Sequence, residues 1–187
     1  MENKQVATVR TITGELIGGF LLYGIAFGLL YSIICAAITN RIETDSQILI
    51  AIITIILQGI TVFFVWRCSI ATTFRKRLIE INDVPKVMKN LLIFTVIISF
   101  ITVLMNFSEV NDKINETIDS KFLLSETVLK YMYDDDEIAK YNEEKEKAIN
   151  EAKSTVYTYL AVLEIGLLAV YLGVVTLQKK AILKYAV

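Results

Sequence analysis

The chain has 187 residues, 55% of them hydrophobic, and a mean hydropathy of +0.55, above the ~45–50% apolar content of soluble domains. Its net charge of −1 supplies no overall field for nucleic acid. It has no histidine, which removes the commonest metal ligand and the commonest general base.

The N-terminal segment carries Lys4 and Arg10. The first apolar run, Leu16 to Ile38, holds 23 uncharged residues. That exceeds the ~7–15 residues of a cleaved signal's apolar core, so a retained membrane span is predicted. Gly14/Gly18 and Gly24/Gly28 are spaced four apart, a pattern that lets another helix approach closely. They are read as helix-packing positions, within the bundle or between subunits. Glu15 is read as a first-turn residue favoured by the helix dipole. Cys35 and Cys68 should lie near opposite faces of a bilayer, as unpaired structural thiols.

The second run, Ile48 to Trp66, has 19 residues. Thr54, Gln58 and Thr61 share one helix face, and Trp66 marks an interfacial end. Phe74, Leu78 and Ile81 share a helix face, which extends the second helix to near Asn82. Asp83 and Pro85 then open the next helix. The third run, Leu91 to Phe107, has 17 residues. It carries a second polar stripe, Thr95, Ser99, Thr102 and Asn106. Polar stripes are unfavourable against lipid, so both are expected to face protein or water.

Glu109 to Ser154 contains neither Gly nor Pro. Apolar residues recur there at helical spacing, from Val110 through Phe122 and again from Ile138 through Ala152. Glu109/Lys113, Glu126/Lys130, Asp136/Lys140 and Glu143/Lys147 are acid-first pairs four apart. A helical hairpin is predicted over 109–154, its second arm opened by Asp134-Asp135-Asp136. Each arm is about 20 residues, or roughly 30 Å. Thirteen acids and seven lysines give the insertion a charge of −6. The aspartate triplet lacks calcium-loop spacing and is read as a cap, not a metal site.

The fourth run, Val156 to Leu177, has 22 residues with one charge, Glu164. By helical rise, Glu164, Gln58 and Ser99 lie roughly 12–15 Å in from the same side. A carboxylate there costs at least ~2.5–3.5 kcal/mol, so it is expected to be neutral or hydrogen-bonded, with Gln58 and Ser99 as partners. Lys179, Lys180 and Lys184 close the chain.

The expected fold is therefore all-α. It is a four-span transmembrane bundle, spans about 14–38, 47–72, 89–107 and 155–177, forming one membrane domain over 1–187 with the hairpin outside. Short-flank Lys and Arg place both termini and the segment between spans two and three in the cytoplasm. This topology resembles tetraspanins, but the loop has no cysteine and so lacks their Cys-Cys-Gly motif, and no family is assigned.

No phosphate-binding glycine loop, metal-ligand pair or nucleophile–base set is present, so neither enzyme activity nor a cofactor is expected. The expected function is a membrane subunit or scaffold in the cell membrane. It would act through helix contacts and its outer hairpin, as a homo-oligomer or beside a membrane protein partner. The alternative is a small cation or proton channel or transporter using Glu164, with Gln58, Ser99 and Thr102 along its path. A sensor that binds a ligand through the hairpin is a third reading.

Overall fold

The computed structural model describes residues 4–39, 47–132 and 135–187. It is almost entirely helical. The four helices are α1 (Val9–Thr39), α2 (Gln47–Thr73), α3 (Val84–Met132) and α4 (Asp135–Leu183). All four are long and apolar enough to cross a membrane. Two-residue strands β1 (Gln5–Val6) and β2 (Arg77–Leu78) accompany them. The chain divides into two compact units. One is Met1–Ser99 with Ile165–Val187, and the other is Phe100–Glu164.

In the first unit, Thr8 caps α1. Its hydroxyl accepts from the Thr11 amide at 3.3 Å and satisfies one of the helix's orphan donors. α1 and α2 then pack against each other at one end. Ser69, fully buried, donates to the Leu16 carbonyl at 2.6 Å. Gly19 faces Ser69 so closely that an added methyl would lie 2.5 Å from its Oγ. Around this point sits the core of Ile12, Leu16, Trp66, Ile70, Phe74, Val87, Leu91, Val175 and Ile182. Trp66 is a core residue, not an interfacial anchor. Its ring packs 4.4 Å from Phe20 and edge-on to Phe94 at 6.4 Å. An indole enclosed this way gains dispersion contacts on both faces.

The same end is tied together by a small parallel clasp. β1 pairs with β2, Gln5 beside Arg77 and Val6 beside Leu78. Ile79 bridges Ala186. The Gln5 amide donates to Lys76 O at 3.2 Å and the Ala7 amide to Leu78 O at 3.0 Å. Val187 N donates to Ile79 O, and Ile81 N to Val187 O, both at 2.9 Å. Both termini and the connection between α2 and α3 therefore meet at one end of this unit.

This clasp overturns the expected extension of α2 to Asn82. α2 stops at Thr73 because its next backbone groups find partners elsewhere. Lys4 Nζ donates to the Phe74 carbonyl at 3.1 Å, and β1 takes the groups after it. Phe74 and Ile79 are fully buried while Ile81 is exposed, a pattern that is not one helix face. Phe74 instead stacks on Tyr185 with centroids 4.9 Å apart and planes 5° apart. α3 opens where expected, with Val84 before Pro85 and Lys86 bonded to Asp83 at 2.7 Å.

In the second unit, the later part of α3 and the earlier part of α4 run antiparallel. Phe107 packs on Tyr157 at 5.2 Å, and Tyr157 donates to Asn111 Oδ1 at 3.0 Å. Lys145 pairs with Asp119 at 3.0 Å, and Tyr141 donates to the Phe122 carbonyl at 2.6 Å. Of the expected acid-first pairs, Lys113 and Glu109 meet at 2.5 Å. Glu143 and Lys147 form no ion pair among the described residues, and Glu126, Lys130 and Asp136 lie outside the residues whose side chains are described. α4 begins within the aspartate triplet, at Asp135.

Candidate functional site

Glu164 is 8% exposed, on the part of α4 that falls in the second unit. Its Oε1 accepts from Asn106 Nδ2 at 2.5 Å. Asn106 is the last member of the α3 polar stripe. It reaches Glu164 across the antiparallel pairing of α3 and α4, in which Phe107 also packs on Tyr157. A carboxamide donor satisfies one carboxylate oxygen without introducing a second charge.

The other expected residues have their own surroundings. Gln58 Oε1 accepts from Tyr31 at 3.4 Å, a long bond between α1 and α2. Ser99 is buried, and its hydroxyl has no partner among the described residues. Thr102 is exposed, so the α3 stripe is not covered along its whole length. Thr61 and Thr95 donate to the carbonyls of Leu57 and Leu91, four residues back, each at 2.9 Å. A threonine satisfied this way needs neither water nor a neighbouring helix.

The glycines separate into two groups. A methyl added at Gly14, Gly18, Gly24 or Gly28 would meet nothing within 4 Å. The glycines that an added methyl would crowd are Gly19, against Ser69, and Gly59, where it would lie 2.8 Å from Val170, while at Gly166 it would make only ordinary contact with Ile55 at 3.6 Å. Packing inside the chain thus falls on Gly19, one residue away from the expected Gly18. The spacing rule selected pairs four apart and passed over Gly19, which has no glycine four residues away. The buried Ser69 was the signal that could have found it.

Glu15 also differs from expectation. α1 begins at Val9, so Glu15 lies beyond the first turn. Its carboxylate accepts from Arg77 Nη2 at 3.1 Å and from Nε at 3.3 Å. Among the described residues no group of three His, Cys, Asp or Glu side chains could hold a metal. Cys35 and Cys68 are not joined in a disulfide.

No family model matches the chain, and no characterised protein or solved structure is significantly similar to it.

The Asn106–Glu164 pair gives a testable asymmetry. Asn106→Leu removes the donor and leaves a buried carboxyl group unsatisfied, a loss of about 1–3 kcal/mol. Glu164→Gln keeps an acceptor oxygen for Asn106, and its cost is expected to stay below about 1 kcal/mol. Thermal unfolding of the detergent-solubilised protein checks the order. Equal melting temperatures for the two variants would mean that the bond contributes nothing.

Proposed function

We propose that the chain is a four-span membrane protein with no catalytic role, working as a subunit or scaffold through α1 and its paired helical arms. The observation that carries this reading is the open glycine face of α1. Gly14, Gly18 and Gly28 lie on the side of the helix away from Ile12, Leu16 and Gly19, which meet the chain's own core. Leu22 and Ile25, on the same open side, are 67% and 71% exposed. Lipid tails are as apolar as leucine, so association in a bilayer depends on close van der Waals approach, which small residues permit.

Orientation follows from charge. The end where both termini and the α2–α3 connection meet carries eleven of the nineteen Lys and Arg residues, and the positive-inside rule places it in the cytoplasm. The acidic arms of 109–154 then lie outside. The hydroxyls of Thr61 and Thr95, satisfied by their own helices, support a structural role for those stripes over an aqueous path.

The test is assembly. Gly18→Leu and Gly28→Leu are expected to leave the melting temperature of the isolated chain nearly unchanged, because both positions are open. They are expected to weaken self-association or partner association by about tenfold or more, a loss of roughly 1.4 kcal/mol. Native mass measurement in detergent reads this out, and an assembly state unchanged in both variants would remove α1 as the interface.

A further inference from the structure

An open cavity of about 670 Å³ lies at the clasped end of the first unit, lined by Gln5, Glu15, Thr72, Thr73, Arg75, Lys76 and Arg77. Its size falls within the usual range for small-ligand sites. Its charge is unbalanced, with three cations against Glu15. Arg77 is committed to that carboxylate, at 3.1 Å. Arg75 and Lys76 are exposed, and neither pairs with an acid among the described residues.

The Phe74 carbonyl, just past the end of α2, is taken by Lys4 and the Lys76 carbonyl by Gln5, so neither faces a ligand unpaired. The hydroxyls of Thr72 and Thr73 and the Gln5 carboxamide add neutral hydrogen-bonding groups to the lining. A second cavity at this end, lined in part by Arg10, Glu80, Asp83 and Lys86, carries two acids against two cations and has no such excess. The excess charge is therefore local to one cavity.

Position narrows the ligand. Glu15 lies seven residues before Leu22, about 10 Å along α1 from strongly exposed apolar surface. If α1 spans a bilayer, this boundary between apolar and polar surface would lie near the lipid phosphates. We infer that this cavity binds a phosphate-bearing anion, with Arg75 and Lys76 as its cationic groups and Glu15 holding Arg77 in place. A bilayer supplies such a group as a lipid headgroup and the cytoplasm supplies it as a soluble phosphate. The headgroup source rests on the membrane reading above.

The experiment uses the full chain in nanodiscs of neutral phosphatidylcholine, with and without phosphatidylglycerol, read by retained lipid in native mass spectra and by melting temperature. Arg75→Gln/Lys76→Gln is expected to weaken phosphatidylglycerol retention by roughly 30-fold, as loss of two interfacial cations implies. Lys179→Gln/Lys180→Gln removes the same charge from exposed positions on α4 and is expected to cost much less. Glu15→Gln is expected to strengthen retention, a change of opposite sign that misfolding does not produce. A melting shift with inorganic phosphate in neutral nanodiscs, absent from Arg75→Gln/Lys76→Gln, assigns the site to a soluble phosphate. No preference for phosphatidylglycerol and no phosphate shift would overturn the inference, as would equal losses in the two double variants. Failure to enter any nanodisc would instead overturn the membrane reading.

Discussion

Phe74→Ala is expected to destabilise the first unit by about 3–5 kcal/mol, the range for truncating an enclosed aromatic side chain. Phe74 is fully buried and stacks face to face on Tyr185. Tyr185 in turn lies under the Lys4 ammonium, 5.1 Å from its ring centroid. The ring therefore joins the end of α2 to both terminal segments, and its loss leaves a cavity where three pieces of backbone meet. The total stability of a domain is typically ~5–15 kcal/mol, so the loss is a large fraction of it. The clasp should loosen with it. Hydrogen exchange at the amides of Gln5, Ala7, Ile79 and Val187, all bonded across the clasp, is expected to speed up together. Ile81→Ala is the control, since Ile81 is 58% exposed and its truncation should change little. If Phe74→Ala melts with the wild type, or if the four amides lose protection independently, the clasp is not a cooperative unit.

Gly19→Leu is the second large effect. An added Cβ at Gly19 meets Ser69 Oγ at 2.5 Å, its Cβ at 3.1 Å and its Cα at 3.3 Å. The hydroxyl cannot simply swing aside, because it donates to the Leu16 carbonyl at 2.6 Å. Moving it strands a buried hydroxyl, and the backbone contact at Cα requires the helices to part. Overpacking of this kind costs typically about 1–3 kcal/mol, and the stranded hydroxyl about 1–3 kcal/mol more. The comparison with Gly18→Leu isolates the cause, since both substitutions add the same side chain to adjacent positions of one helix. Only Gly19 faces the chain's own packing. Melting temperatures that fall equally for the two variants would show that helix propensity or solubility governs the effect, not contact with Ser69. Gly19→Leu with Ser69→Ala should recover part of the loss, a coupling that neither single change predicts.

The sequence by itself determined the four apolar helices, because length and hydropathy are properties of contiguous residues. The runs beginning at Leu16, Ile48, Leu91 and Val156 all lie within observed helices, and α2 spans almost the expected 47–72. Helical character over 109–132 and 135–154 was equally legible from spacing and from the absence of Gly and Pro. The start of α3 followed from Asp83 and Pro85. Each of these is a local signal, carried by neighbours along the chain.

Tertiary structure decided what depends on residues distant in sequence. Trp66 looked like an interfacial anchor from its position at the end of a run, yet Phe20 and Phe94 enclose it. Phe74, Leu78 and Ile81 fitted a helix face, but the segment became a strand because the two terminal segments offered it backbone partners. Glu164 was expected to bond Gln58 or Ser99, but Asn106, on the same face of α3 as Ser99 and about two turns along it, donates to it, because the axial register of two helices is set by their packing and not by either sequence alone. Gly18 and Gly19 are adjacent, and only the packing of α1 on α2 shows which of them faces Ser69. Periodicity within a helix identifies its faces, while the partner that each face meets is set by long-range contacts whose energies the local pattern does not contain.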